Sequence, residues 1–151
     1  LAIKARVLAT VTRLIAVLLV PIAFCLAPGR ARFLACQWAL GLRFPAEDLR
    51  GLTPETLAAF THARAEAFWR DGQLIGLTYD NEWWHFEYRT VEPIRLPHPA
   101  AAAWLCEHGA AYGLCRIYDN EPWHDELRPD AVDDGRPPMY ADPAENPRTQ
   151  P

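Results

Sequence analysis

YDNEWWHFEY (79–88) and YDNEPWHDEL (118–127) decide how this chain is read. They lie thirty-nine residues apart, and both say Tyr-Asp-Asn-Glu-x-Trp-His. Gly-Leu precedes each copy, at Gly76-Leu77 and Gly113-Leu114, with two extra residues in the second interval. Neither copy suits a helix, because Pro122 and the Trp83-Trp84 pair oppose one. Around the first, QLIGLTYDNEWWHFEYRTVEPIRL (73–96) is rich in β-branched and aromatic residues. It predicts one or two strands with a turn near Asp80-Asn81. Around the second, LCRIYDNEPWHDEL (114–127) has the same strand character.

Each copy follows a helical pattern. GLTPETLAAFTHARAEAFWRDG (51–72) opens with Thr53 as N-cap and Pro54 at the first helical position. Leu57, Phe60, Ala67 and Phe68 then share one side and Gly72 is the stop. His62 lies off that stripe, as a surface histidine. PHPAAAAWLCEHGAAYG (97–113) is a second helix, opened by Pro99 and closed by Gly113. Trp104, Leu105, His108 and Tyr112 share its face, so His108 reads as packed, whereas His98 between two prolines reads as an exposed turn. Two helix–strand units are too few for a solenoid. The expected fold is α+β, a small, mostly antiparallel sheet with helices packed on one side.

Charge divides the chain unevenly. Residues 1–50 hold seven Lys/Arg against two Asp/Glu, whereas 51–151 hold eight against seventeen. The acidic body argues against a nucleic-acid partner. In the basic N-terminal part, Lys4, Arg6 and Arg13 precede an apolar run from Leu14 to Ala27, and Pro28-Gly29 end it. Fourteen residues fall short of the ~20 that a spanning helix needs. Residues 1–30 are therefore read as a signal or membrane-anchor segment, with a membrane-associated or buried helix as alternatives. That reading places the protein outside the cytosol or anchored at the cell envelope. From Arg128 to the end, six of 24 residues are Pro, giving a tail (128–151) that is extended over the surface or disordered. The four cysteines form no Cys-x-x-Cys, and Cys106 and Cys115 are either a pair or two buried thiols.

Glu-x-x-His supplies a carboxylate and an imidazole. Three residues apart on an ideal strand, they point to opposite faces. For Glu121 to meet His124, or Glu82 to meet His85, the strand must bulge or end between them, as Pro122 allows. A neutral imidazole is a zinc ligand, and a carboxylate that does not bind the metal can take a proton from metal-bound water. The plain alternative is a core of tryptophans with Glu and His at a solvated strand end.

The wording around the motif, NEWWHFEYR and AAWLCEHGAAYGLCRIYDNEPWHDELRP, resembles the zinc D-alanyl-D-alanine carboxypeptidases and dipeptidases of bacterial cell walls. The resemblance covers most of 51–151, and the carboxypeptidase-like domain is taken as 51–127. It implies His124 or His85 as zinc ligand, Glu121 or Glu82 as catalytic base, and Trp123, Trp84 and Trp104 as substrate-binding walls. The implied substrate is a peptidoglycan stem peptide ending in D-Ala-D-Ala. The family's other two ligands come from a Ser-x-His-x-x-Gly-x-Ala-x-Asp stretch that has no counterpart here. Either the two copies pool ligands, with His98 or His108 as a third, or the site is degenerate and the chain is a non-catalytic peptidoglycan- or protein-binding relative. In the family's pattern some relatives carry Cys where Arg136 stands, implying a lost disulfide from Cys115.

Overall fold

A computed structural model describes residues 2–43, 52–77, 85–89, 98–122 and 124–150. The N-terminal apolar segment is helix α1, Ala2–Leu26. It is longer than the fourteen-residue run because Val7, Leu8 and Val11 extend the apolar pattern across Arg13. Its Arg6–Leu26 stretch has a mean hydropathy of 2.3, long and apolar enough to cross a membrane. A 3₁₀ turn at Pro28–Arg30 reverses the chain into α2, Ala31–Arg43. No expected element covers this stretch, and its buried Ala31, Ala35, Cys36, Ala39 and Leu40 have helical spacing. Ala23 packs with Ala31 and Ala35, and Ala16 with Cys36, Ala39 and Leu40, so α2 runs back along α1. Small side chains at the contact let the two helices approach closely.

Helix α3, Pro54–Asp71, is bounded as its sequence dictates. Thr53 Oγ1 accepts from the Thr56 amide (3.2 Å), Pro54 sits where no amide partner is required, and Gly72 stops the helix at φ 65°. Two strands follow, β1 (Gly76–Leu77) and β2 (His85–Arg89). Helix α4, His98–His108, continues as a 3₁₀ turn over Gly109–Tyr112 and ends at Gly113, φ 76°. Then come β3 (Leu114–Arg116), β4 (His124–Leu127) and a short α5 (Ala131–Asp134). The architecture is α+β.

The sheet is antiparallel throughout, in the order β1-β2-β4-β3. That order explains the repeated sequence. Each Tyr-Asp-Asn-Glu-x-Trp lies between the two strands of a hairpin, and each His begins the second strand. Across β2 and β4, His85 pairs with Glu126, Phe86 with Asp125 and Glu87 with His124. His85, Phe86 and Glu87 correspond to His124, Asp125 and Glu126 in the repeat. The two hairpins are thus related by a local two-fold axis through the Phe86–Asp125 pair. The outer pairings agree, since Leu77 opposite Tyr88 corresponds to Leu114 opposite Leu127.

Both faces of β4 are covered. Leu114 lies in the main core with Phe60, Ala63 and Ala67 of α3, Trp104 and Leu105 of α4, and Ile75. Alternation places Asp125 on this helix-covered face and His124 and Glu126 on the other. The second face is closed by the C-terminal tail. Tyr140 pairs with Tyr118 as a parallel bridge at the sheet edge, its amide donating to the Ile117 carbonyl (2.9 Å), and Arg148 reaches Glu126 on that face (3.1 Å). Cys115, Ile117, Tyr118 and Ala131 form a small core beneath it.

Candidate functional site

Glu121 and His124 meet because the strand begins only at His124. The His124 amide donates to the Glu121 carbonyl (3.0 Å), closing a turn with Pro122 at its second position. The side chains consequently face each other, with Glu121 Oε2 3.4 Å from His124 Nδ1. The opposite ring nitrogen, Nε2, lies 3.1 Å from Glu126 Oε1. Tyr118 packs edge-on against the imidazole, ring centroids 4.8 Å apart.

Glu126 is the hub of this cluster. It is buried; its Oε2 forms an ion pair with Arg128 Nη2 (2.6 Å) and accepts from Arg148 Nη1 (3.1 Å). Burial alone raises its carboxyl. The hydrogen bond from His124 and the positive charges of Arg128, His124 and Arg148 outweigh burial and hold the pKa at about 2. Arg148 is positioned by Asn146, whose Oδ1 accepts the Arg148 amide (3.0 Å) and whose Nδ2 donates to the Tyr118 hydroxyl (2.8 Å). Tyr118 and Glu126 belong to the repeat without an expected role in the site, and Arg128, Asn146 and Arg148 lie outside it. One signal was legible: Glu follows His by two residues in both copies, the spacing that shares a strand face.

Asp125 occupies the other face. It is 1% exposed, and neither carboxylate oxygen has a hydrogen-bond partner among the described residues. Burial pushes its pKa up to about 7, against the pull of Arg116 and His124. Burial likewise pushes Cys115 up to about 11, with Asp125 adding to the rise and Arg128 and Arg136 opposing it. All four cysteines are free thiols. Arg136 touches Cys106, through the carbonyl (2.9 Å) and Sγ (2.6 Å), rather than Cys115.

Trp104 is a core residue. It is 8% exposed, its Nε1 donates to Asp71 Oδ2 (2.5 Å), and its ring packs against His108 and Tyr112. It ties α4 to the end of α3. His108, expected to be packed, does pack its ring against Trp104 but stands at the helix end, where its side chain stays 43% exposed with Nε2 3.8 Å from Glu107. His62 is exposed as expected and touches the rings of Phe33 and Tyr112. His98 is the first residue of α4, not part of a turn before it. Glu82, Trp84 and Trp123 lie outside the described residues. For His85 the description is of its backbone, paired opposite Glu126.

A catalytic zinc requires three protein ligands and an open position. Among the described residues, no group of three His, Cys, Asp or Glu is arranged to hold a metal. The reason is geometric: Glu121 and Glu126 take opposite nitrogens of one imidazole and do not converge on a common point. These side chains do not by themselves fit zinc. A separate open groove of about 1070 Å³ lies between the α1–α2 turn and α3, lined by Arg30, Arg32, Phe33, Leu57, His62 and Glu66 among others. No described residue of the Glu-x-Trp-His hairpin lines it. No protein-family model, curated protein or solved structure matches this chain.

Proposed function

We propose that the chain binds peptidoglycan stem peptides ending in D-Ala-D-Ala at the cell envelope, as a degenerate relative of the zinc D-alanyl-D-alanine carboxypeptidases. The observation behind this reading is the 3.4 Å approach of Glu121 to His124, the two residues that the resemblance makes base and ligand. Arg148, whose side chain is 58% exposed, offers a guanidinium to a peptide's terminal carboxylate. Binding is favoured over hydrolysis because His124 Nε2 is already engaged by Glu126. Zinc, in a complete enzyme of this kind, polarises the scissile carbonyl and lowers the pKa of its water.

The second reading is a working D,D-carboxypeptidase whose two copies pool ligands. It draws on the β2–β4 register, which sets His85 opposite Glu126 and Glu87 opposite His124. Calorimetric titration of the full chain with a stem peptide ending in D-Ala-D-Ala, with an L-Ala-L-Ala control and an assay for released D-Ala, separates the readings. Selective binding without release is expected, weakened in Arg148→Ala. Equal affinity for both peptides would refute the proposal. Zinc-dependent release would establish the second reading.

A further inference from the structure

We propose that α1 lies flat on an anionic bilayer surface as a permanent part of the fold, its exposed stripe sunk among the acyl chains. The inference does not depend on the peptide-binding reading.

The stripe is continuous. Ile3, Val7, Val11, Leu14, Leu18 and Ile22 are all exposed, between 47% and 77%. Their spacing of three and four residues puts them on one side of the helix. The opposite side, with Thr12, Ala16 and Ala23, is buried. Val17, Phe24 and Leu26 are exposed on its borders, so the free apolar surface covers about half of the helix and the protein itself uses the remainder.

That packing opposes a spanning orientation. Ala16, in the middle of α1, is buried in one cluster with Ala65 and Phe68 of α3 and with Leu74. The Arg13 guanidinium lies over the Trp69 ring, 5.4 Å from its centroid. A Cβ on Gly72 would lie 3.8 Å from the Ala9 methyl. The end of α3 therefore rests beside the middle of α1. A bilayer threaded by α1 would engulf Arg70 and Asp71, both exposed, at its hydrocarbon centre. Lying along the interface buries the stripe and leaves α3 in water. Removal of α1 is opposed too, since it would strip the cover from Ala35, Cys36, Ala39 and Leu40.

Charge selects the surface. Residues 1–43 contain six Lys/Arg and no Asp/Glu. Lys4, Arg6 and Arg13 are exposed and, on a helical projection, flank the stripe on its two borders. From there Lys4 and Arg6 can reach lipid phosphates while the stripe sits deeper, whereas Arg13 is turned toward Trp69. Arg30, also exposed, extends the basic surface at the hairpin turn.

The test uses the full chain with vesicles of phosphatidylcholine, alone or mixed with phosphatidylglycerol. Single spin labels replace Val7, Val11, Leu18 and Ile22 in a cysteine-free background whose helicity is checked by circular dichroism. These positions cover about 22 Å of helix axis. Four similar, shallow depths are expected. A profile that deepens to the bilayer centre and rises again means that α1 spans, and overturns the proposal. Labels that stay out of lipid while the chain dimerises in solution assign the stripe to a second copy, which also overturns it. Intact mass of the chain recovered from cells is expected to retain α1, and its loss refutes the permanent helix. Independently of the labels, Lys4→Gln/Arg6→Gln with native cysteines is expected to weaken partition into the anionic vesicles by ~30-fold. Unchanged partition would exclude the charge-selected surface.

Discussion

Asp125 lies directly opposite Phe86 in the β2–β4 pair, on the axis that relates the two copies of the repeat. One copy places an aromatic residue at this position, the other a carboxyl with no hydrogen-bond partner among the described residues. The sheet is therefore symmetric in backbone and asymmetric in charge at its centre.

This predicts a pH signature in stability. In the unfolded chain the Asp125 carboxyl ionises near its ordinary value, whereas in the fold it keeps its proton up to about pH 7. Its contribution is lost as pH rises from about 4 to about 7, and is constant above that. Asp125→Asn mimics the protonated form. It is expected to stabilise the protein at pH 8 on the order of 2–3 kcal/mol, with the gain vanishing near pH 4. Urea unfolding of both proteins at the two pH values measures this. A gain independent of pH would assign it to packing instead.

Glu126 predicts the opposite dependence. Its folded pKa, about 2, lies below the ordinary value, so its contribution is present above about pH 4.5 and disappears as pH falls towards 2. Glu126→Gln leaves the Arg128 guanidinium, together with Arg148 and His124, without the carboxylate they share. A loss of about 3 kcal/mol at pH 7 is expected, shrinking in acid. Thermal unfolding across that range checks it, and equal losses at both ends would contradict the linkage.

Asn146 pins the tail to the site. Its side chain is 1% exposed and joins Tyr118 to the Arg148 backbone. Asn146→Ala and Tyr118→Phe should each cost about 1–3 kcal/mol. Because they share one hydrogen bond, the double variant should lose less than the two single losses together. The cleanest reading is a double-mutant cycle accompanied by limited proteolysis after residue 136. Strict additivity and an unchanged cleavage rate would show that the bond does not hold the tail.

Gly109 is a steric requirement. A Cβ there would lie 2.6 Å from the Leu114 carbonyl oxygen, which is strand backbone and cannot move without disturbing β3. Gly109→Ala is expected to destabilise the protein by about 2–3 kcal/mol. Denaturant titration gives the value, and a neutral result would mean that the helix–strand connection is more compliant than this contact implies.

Zinc stoichiometry tests the site itself. Elemental analysis of the wild type, His85→Ala and His124→Ala, alongside D-Ala release, is expected to show no tight zinc and no turnover. One tightly bound zinc per chain, lost together with turnover in both variants, would establish the pooled site. Loss in His124→Ala alone would assign the chemistry to the second copy.

The sequence determined by itself what local chemistry fixes. Thr53, Pro54, Gly72 and Gly113 set helix ends because capping and left-handed glycine act within a few residues. Pro122 allowed Glu121 and His124 to meet because a turn is decided by four residues. The repeat itself was legible, as was the apolar character of α1. Tertiary structure decided the rest. The two-fold axis at Phe86–Asp125 depends on pairing strands thirty-nine residues apart, whose register no local signal states. Glu126, Arg128 and Arg148 became a cluster only when the tail folded over the outer face of β4. Trp104 went to the core, rather than to a described contact with His124, because the end of α3 offered Asp71 to its indole. The two-faced nature of α1 arose the same way: apolar composition permits burial on any side, and only the packing of α2 and α3 chose which side remained exposed.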